Sequence, residues 1–292
     1  MPVKLASLLA LALAAGLAGA AEPKLKPFVL ASRVAGDPAK VADEVRAKLE
    51  AAGFEVAGRY APYDGAIVLA VTAPDLRSAA AQQRFGGYAA AQRVTVTKVA
   101  DEVQVAFTSP AYMAAGYRLK ADLGPVEASL AQALGRLEEY GPKDGKSAKD
   151  LRGYHYMMSM PYFDDPWELA KYPTQAEALA AVEAGLAAGK GKTRKVYRVD
   201  VSPDETVFGV ALGDGCGADA NVMKEIDFKP VRSTGHLPYE VLVSKGEVYA
   251  LHAKFRIALN FTDLSMMGDH SFMRIRCAPG SIEGALKAAV AR

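Results

Sequence analysis

Gly280-Ser281-Ile282-Glu283-Gly284-Ala285-Leu286, close to the end of the chain, repeats the pattern of Gly124-Pro125-Val126-Glu127-Ala128-Ser129-Leu130 near its middle. An internal duplication restricts the possible folds, because both copies must then build cores of one plan. Each copy enters this segment from an alternating run, Tyr117-Arg118-Leu119-Lys120 or Met273-Arg274-Ile275-Arg276, that reads as a strand. Each leaves it as a helix with apolar residues four apart.

The plan extends backwards through both copies. Phe28 to Ala31 opens the first, and Asp37-Pro38 then caps a helix whose Val41, Val45 and Leu49 share one face before Gly53. Tyr154 to Met160 reads as the opening strand of the second, and Thr174 with Glu177 forms a capping box ahead of Leu179, Val182 and Leu186. Strand pairs follow, Phe54 to Tyr60 with Ala66 to Val71, and Lys195 to Val201 with Val207 to Leu212. Short helices come next, Pro74 to Arg84 and Ala218 to Glu225. Hairpins complete the plan, Arg93 to Lys98 with Val103 to Phe107, and Glu240 to Val243 with Val248 to Ala253.

The pattern predicts an α+β fold, two tandem copies of a two-layer α/β domain with mainly antiparallel sheets. The expected boundaries are 21–136 for the first copy, 137–153 for a polar, turn-rich linker, and 154–292 for the second copy. An insertion peculiar to the second copy, Pro161 to Glu168, is too aromatic for a solvated loop, which points to packing on the partner copy or on a bound molecule.

Residues 1–20 read as a signal peptide: Lys4, then about 13 apolar residues from Leu5 to Leu17, then Ala18-Gly19-Ala20. The apolar stretch falls short of the roughly 20 residues that cross a bilayer. The expected location is therefore periplasmic or secreted, with no membrane span once the signal is removed. With 292 residues, 51% hydrophobic and 23% charged, the chain is long and apolar enough for two cores. A net charge of +2 supplies no field to gather nucleic acid. Cys216 and Cys277 would meet an oxidising compartment, where a disulfide and two unpaired buried thiols both stay open.

The runs Ile67-Val68-Leu69-Ala70-Val71-Thr72-Ala73-Pro74, Arg93-Val94-Thr95-Val96 and Val103-Gln104-Val105-Ala106-Phe107-Thr108-Ser109-Pro110 resemble the domain-of-unknown-function family 302. The likeness covers nearly all of the first copy and, through the repeat, most of the second. It implies a compact two-layer α/β fold and dimer-like pairing of the copies, and carries no settled activity. Family members place a Cys where the first copy has Ala73-Pro74, and only the second copy has one nearby, at Cys216.

Chemistry is distributed unevenly. All four histidines, both cysteines and seven of the nine methionines fall in the second copy. In the repeat register His270 aligns with Ala114 and His252 with a position near Phe107, so the fold alone does not demand them. Two segments join imidazole to thioether, His155-Tyr156-Met157-Met158-Ser159-Met160 and Met266-Met267-Gly268-Asp269-His270-Ser271-Phe272-Met273. Such groupings suit copper, because thioether sulfur selects Cu(I) and imidazole serves either oxidation state. On a strand over 154–160, His155 and Met157 would share one face and Met158 and Met160 the other. The metal candidates are thus His155, Met157, His270 and Met273, with apolar packing as the plain alternative.

Haem b, held without covalent attachment since Cys-x-x-Cys-His is missing, is a rival use of the same side chains. His236, in a turn entering a strand, and His252, mid-strand beside Lys254 and Arg256, are further ligand-binding candidates. Cys216, flanked by glycines at a helix start, is either a reactive thiol or half of a disulfide. Three functions follow: an exported, non-enzymatic protein binding a metal or small molecule in its second copy; a thiol-dependent redox or sulfur-transfer enzyme using Cys216; or a structural or protein-interaction module. A homo-oligomer or a redox protein partner is compatible with each.

Overall fold

The computed structural model describes residues 22–291; the expected signal peptide lies outside them. The first half runs through β1 (Lys24–Leu25), β2 (Phe28–Val34), α1 (Pro38–Ala51), β3 (Glu55–Tyr60), β4 (Ala66–Thr72) and α2 (Pro74–Ala80). It continues with β5 (Gln92–Val99), β6 (Glu102–Thr108), α3 (Pro110–Gly116), α4 (Gly124–Leu134), β7 (Glu138–Tyr140), β8 (Lys146–Ser147) and α5 (Ala148–Arg152). The second half begins with β9 (Trp167–Lys171), α6 (Gln175–Ala187), β10 (Thr193–Ser202), β11 (Glu205–Leu212) and α7 (Asp219–Ile226). It ends with β12 (Tyr239–Ser244), β13 (Glu247–Ala250), α8 (Ala253–Asn260) and α9 (Ala278–Val290).

The helix starts follow their caps. The Asp37 carboxylate accepts from the backbone N–H groups of Ala39 and Lys40 at 3.0 and 3.1 Å, and Thr174 caps Glu177 at 3.2 Å. The two main sheets have matching strand orders, β3-β4-β5-β6-β2 extended by β7, and β10-β11-β12-β13-β9. Their pairings are antiparallel, so the chain is α+β as its pattern predicts. Both halves also place β-bulges at the same two points: Ala57 and Val196 on one edge strand, and Ala31 and Leu169 where β2 and β9 meet the hairpin. A bulge re-aims a strand at one defined position, so this coincidence marks a shared architecture.

Three sequence expectations change. Residues 154–160 form turns rather than a strand, and the second half opens on Trp167–Lys171, which pairs with β13. Tyr117 to Lys120 and Met273 to Arg276 are turns as well, because neither finds a neighbouring ladder. The segment 137–153 is no free linker: β7 adds to the sheet beside β2, and β8 pairs with β1.

Helix α1 packs on β4 and β5, while α6 packs on β10 and β12, leaving each sheet one face for the other half. Side chains alternate along β5, so Val94 and Val96 enter the core under α1 while Arg93 and Thr97 point across to Glu240 and Thr234. The result is four layers, helix, sheet, sheet, helix.

The bulges fix the register between the halves. Gly58 pairs with Ala70 and Ala70 with Arg93; likewise Tyr197 pairs with Gly209 and Gly209 with Glu240. Gly58 therefore corresponds to Tyr197, and Arg93 to Glu240. At the helix N-caps Ser109 corresponds to His252, which places Gly116 opposite Leu259. Three of these corresponding pairs, Gly58 with Tyr197, Arg93 with Glu240 and Gly116 with Leu259, are in contact. A Cβ on Gly58 would sit 2.8 Å from that of Tyr197, and one on Gly116 3.0 Å from Leu259 Cδ1. Arg93 and Glu240 form a fully buried ion pair.

Contacts between corresponding residues are what a pseudo-two-fold arrangement of the halves places along its axis. Two identical copies would set glycine against glycine or arginine against arginine there. This chain instead sets small against large twice and positive against negative once, complementarity that identical copies cannot provide. Arg256, 3.8 Å from Glu240, and the Tyr197 hydroxyl, which donates to Glu240 at 2.8 Å, complete the buried group.

Candidate functional site

The halves differ most in two segments. The spacing between corresponding residues grows from 143 at Ser109 and His252 to 156 at Gly124 and Gly280, so the second half holds 13 additional residues between α8 and α9. His270 lies inside this added loop and has no counterpart in the first half, which corrects its alignment with Ala114. The other segment is 155–166, ahead of β9. Neither is needed to close a sheet, and the two pack together: Tyr156 meets Phe272 with ring centroids 4.9 Å apart.

Between them lies an apolar pocket of about 230 Å³. Met160 and Tyr156 come from the first segment, and Met266, Phe272 and Met273 from the second. Lys254 and Arg276, both exposed, add positive charge to its lining. Three thioethers from chain-distant segments thus face one small chamber. Met160 and Lys254 also line an adjoining cleft with His155, His252, Tyr162 and Asp165.

The four expected metal ligands are spread over separate settings. His155 Nδ1 lies 2.8 Å from the Met157 carbonyl, and its ring lies tilted against Tyr162 with centroids 4.2 Å apart. A carbonyl only accepts, so in the neutral ring Nδ1 carries the proton and Nε2 the lone pair. Met157 itself is exposed, outside the pocket, because the turn at 154–160 breaks the alternation that would align it with His155. His270 is anchored elsewhere, with Nδ1 2.8 Å from the Glu225 carbonyl and its ring on Phe228 at 4.3 Å. Of the four, Met273 lines the apolar pocket. Among the described residues no group of three His, Cys, Asp or Glu side chains is arranged to hold a metal ion.

The remaining candidates also resolve. His252 is not mid-strand; it caps α8, its Nδ1 accepting from Lys254 N at 3.2 Å, and its ring packs on Trp167 at 4.6 Å. Burial, then the nearby Lys254 charge, lowers its pKa, so it is neutral at pH 7. His236 is enclosed rather than facing a ligand. Its Nδ1 lies 2.9 Å from the Asn260 amide, Nε2 3.4 Å from Arg256, and burial drives its pKa well down.

Cys216 and Cys277 are joined by a disulfide, with Cα atoms 6.1 Å apart, and no free cysteine remains among the described residues. Of the two readings of Cys216, the structure has the disulfide, a bridge between the loop before α7 and the start of α9. The aromatic insertion divides its packing: Phe163 stacks on Tyr117 of the first half at 5.4 Å, and Trp167 stays with the second half.

Met160 and Met266 were visible in the sequence as members of the two clusters. Lys254 and Arg276 gave no signal, since their role comes from position beside the chamber. No helix among the described residues is long and apolar enough to cross a membrane. No family model matches the chain, and neither a curated protein nor a solved structure shows significant similarity to it.

Proposed function

We propose that this is an exported, non-enzymatic binding protein whose second half holds Cu(I) in the methionine pocket. The observation that carries the reading is the meeting of Met160, Met266 and Met273 in one chamber built from segments peculiar to that half. Thioether sulfur is a soft donor that prefers Cu(I), and an apolar lining shields that oxidation state from water. His155, with Nε2 free in the adjoining cleft beside Met160, is the nearest imidazole donor. The donor set therefore moves from His155, Met157, His270 and Met273 to three thioethers supported by His155. Export is supported by the signal-like N-terminus and by the disulfide, which suits an oxidising compartment. The likeness to family 302 carries no activity and leaves this reading unchanged.

Haem b is the second reading, favoured by Lys254 and Arg276, which would suit its propionates beside an aromatic and Met-lined chamber. Against it, about 230 Å³ is below the roughly 300–1,000 Å³ of ordinary ligand sites. Titration against a chromogenic Cu(I) chelator separates the two. One equivalent of Cu(I) is expected to transfer to the protein, and each Met→Leu change at 160, 266 or 273 should weaken it by about tenfold, or roughly 1.4 kcal/mol. Lys254→Ala with Arg276→Ala should strengthen Cu(I) and weaken haem, followed by the Soret band. A protein that takes no copper from the chelator, or whose triple Leu variant binds as tightly, defeats the copper reading.

A further inference from the structure

A second cavity, of about 650 Å³, opens between the two halves, away from the methionine pocket. Lys98 at the end of β5 and Tyr63 after β3 contribute one wall; Lys224, Asp227, Phe228 and Arg232 contribute the other. Lys98, Lys224 and Arg232 form no ion pair among the described residues, and the acids in the lining are the exposed Asp64 and the buried Asp227. The cleft is therefore positively charged, and the Arg232 guanidinium is held by the Asp227 backbone carbonyl.

Asp227 gives it a polar floor. The residue is 7% exposed; Oδ1 accepts from Ser233 N at 2.8 Å, while the buried Oδ2 has no hydrogen-bond partner. An unmatched buried carboxylate oxygen is costly, and a ligand that accepts a proton from it removes the cost. Tyr63 is already engaged, its hydroxyl 2.8 Å from Thr234 Oγ1, which in turn lies 2.9 Å from Thr97 Oγ1. Phe228, nearly half exposed and backed by His270, offers an apolar surface beside the charged groups.

We propose that this inter-half cleft binds a small oxyanion-bearing molecule, its head held among Lys98, Lys224 and Arg232 and hydrogen-bonded by the Asp227 carboxyl. An ionised Asp227 repels such a head and has no proton to give; a neutral one donates. Burial raises its pKa to about 7, against the opposing pull of the Ser233 N–H, Arg232 and Lys229. Tyr63 and Tyr140 also face it. Lys229 is partly neutralised by Asp263 at 2.7 Å, and His270 reaches the cleft only through Phe228. Anion binding should consequently tighten as pH falls through about 7.

Sulfate and benzenesulfonate, whose charges do not change in this range, are the probes, followed by backbone NMR shifts of the intact protein. Saturable shifts at Lys98 and at 224–232 are expected, with affinity rising about tenfold between pH 8.5 and 5.5. Asp227→Asn keeps the oxygen that accepts from Ser233 and should bind with no pH dependence, while Lys224→Ala, at an exposed site, should weaken binding at every pH. His270→Gln should keep the wild-type profile. Tighter binding of benzenesulfonate than sulfate identifies an aromatic body on Phe228; equal binding identifies recognition of the head alone. Absence of shifts at the cleft, or shifts indifferent to both Asp227→Asn and Lys224→Ala, overturns the proposal.

Discussion

The two halves share strand order and bulge positions, yet the first is closed where the second is open. In the first half a short turn joins α3 to α4, and the buried Tyr117 and Leu119 seal it. In the second, the corresponding connection is 13 residues longer and meets another added segment over an apolar chamber. The two halves share a frame of one strand order, and the added segments of the second lie outside both sheets. Ionisable groups follow the same asymmetry: the buried acids whose pKa values are raised, Glu205, Asp219 and Asp227, all lie in the second half.

The pseudo-two-fold contacts are where this comparison is most easily broken. Glu240 balances Arg93 and lies near Arg256, all at or below 2% exposure, so Glu240→Gln leaves two buried guanidiniums uncompensated. Burial opposes the Arg93 charge and Glu240 sustains it. Urea unfolding should show a loss of about 3–5 kcal/mol. Removing the exposed Lys287–Glu283 pair, as Glu283→Gln, should cost less than about 0.5 kcal/mol and serves as the reference. A Glu240→Gln cost near that reference would mean that the axis pair does not hold the halves together.

The disulfide tests the added loop. It closes 61 residues of chain and ties the base of that loop to the segment before α7. Replacing both cysteines by serine should cost about 2–4 kcal/mol by releasing the unfolded chain from this constraint. The loss should fall on the second half, so hydrogen exchange is expected to quicken around 262–277 and 213–218 before it changes in the first sheet.

The smallest expected effect concerns Asp219. Burial raises its pKa to about 7, against the Leu212 N–H, Arg256 and Tyr60. The folded state therefore holds a proton that the unfolded state, near its ordinary value of 3.8, has already lost. That difference lowers stability as pH rises from about 4 to 7, after which the penalty is constant. Between pH 8 and 5 wild type should gain about 2–3 kcal/mol that Asp219→Asn does not. Parallel pH profiles for the two proteins would refute the assignment.

Much of the frame was legible in the residues. Asp37-Pro38 and Thr174 with Glu177 announce helices because capping is satisfied within a few positions of chain. The alternation in Arg93 to Lys98 announces a strand for the same local reason. Tyr154 to Met160 shows the limit. Its composition suits a strand, but a strand also needs a neighbour to receive its backbone hydrogen bonds, and β13 takes Trp167–Lys171 instead. His236 likewise reads as a turn histidine open to ligand until Arg256 and Asn260 are seen to enclose it.

The repeated pattern, the α+β class and the concentration of soft donors and imidazoles in the second half are all readable from the chain. These depend on spacing and on side-chain type, which are properties of the chain. Tertiary structure alone decided that Met160 meets Met266 and Met273, that Cys216 meets Cys277, and that Arg93 meets Glu240 on the pseudo-axis. Each of those meetings joins residues far apart in the chain, and their distance is set by how two twisted sheets and two added loops stack, which no local periodicity records.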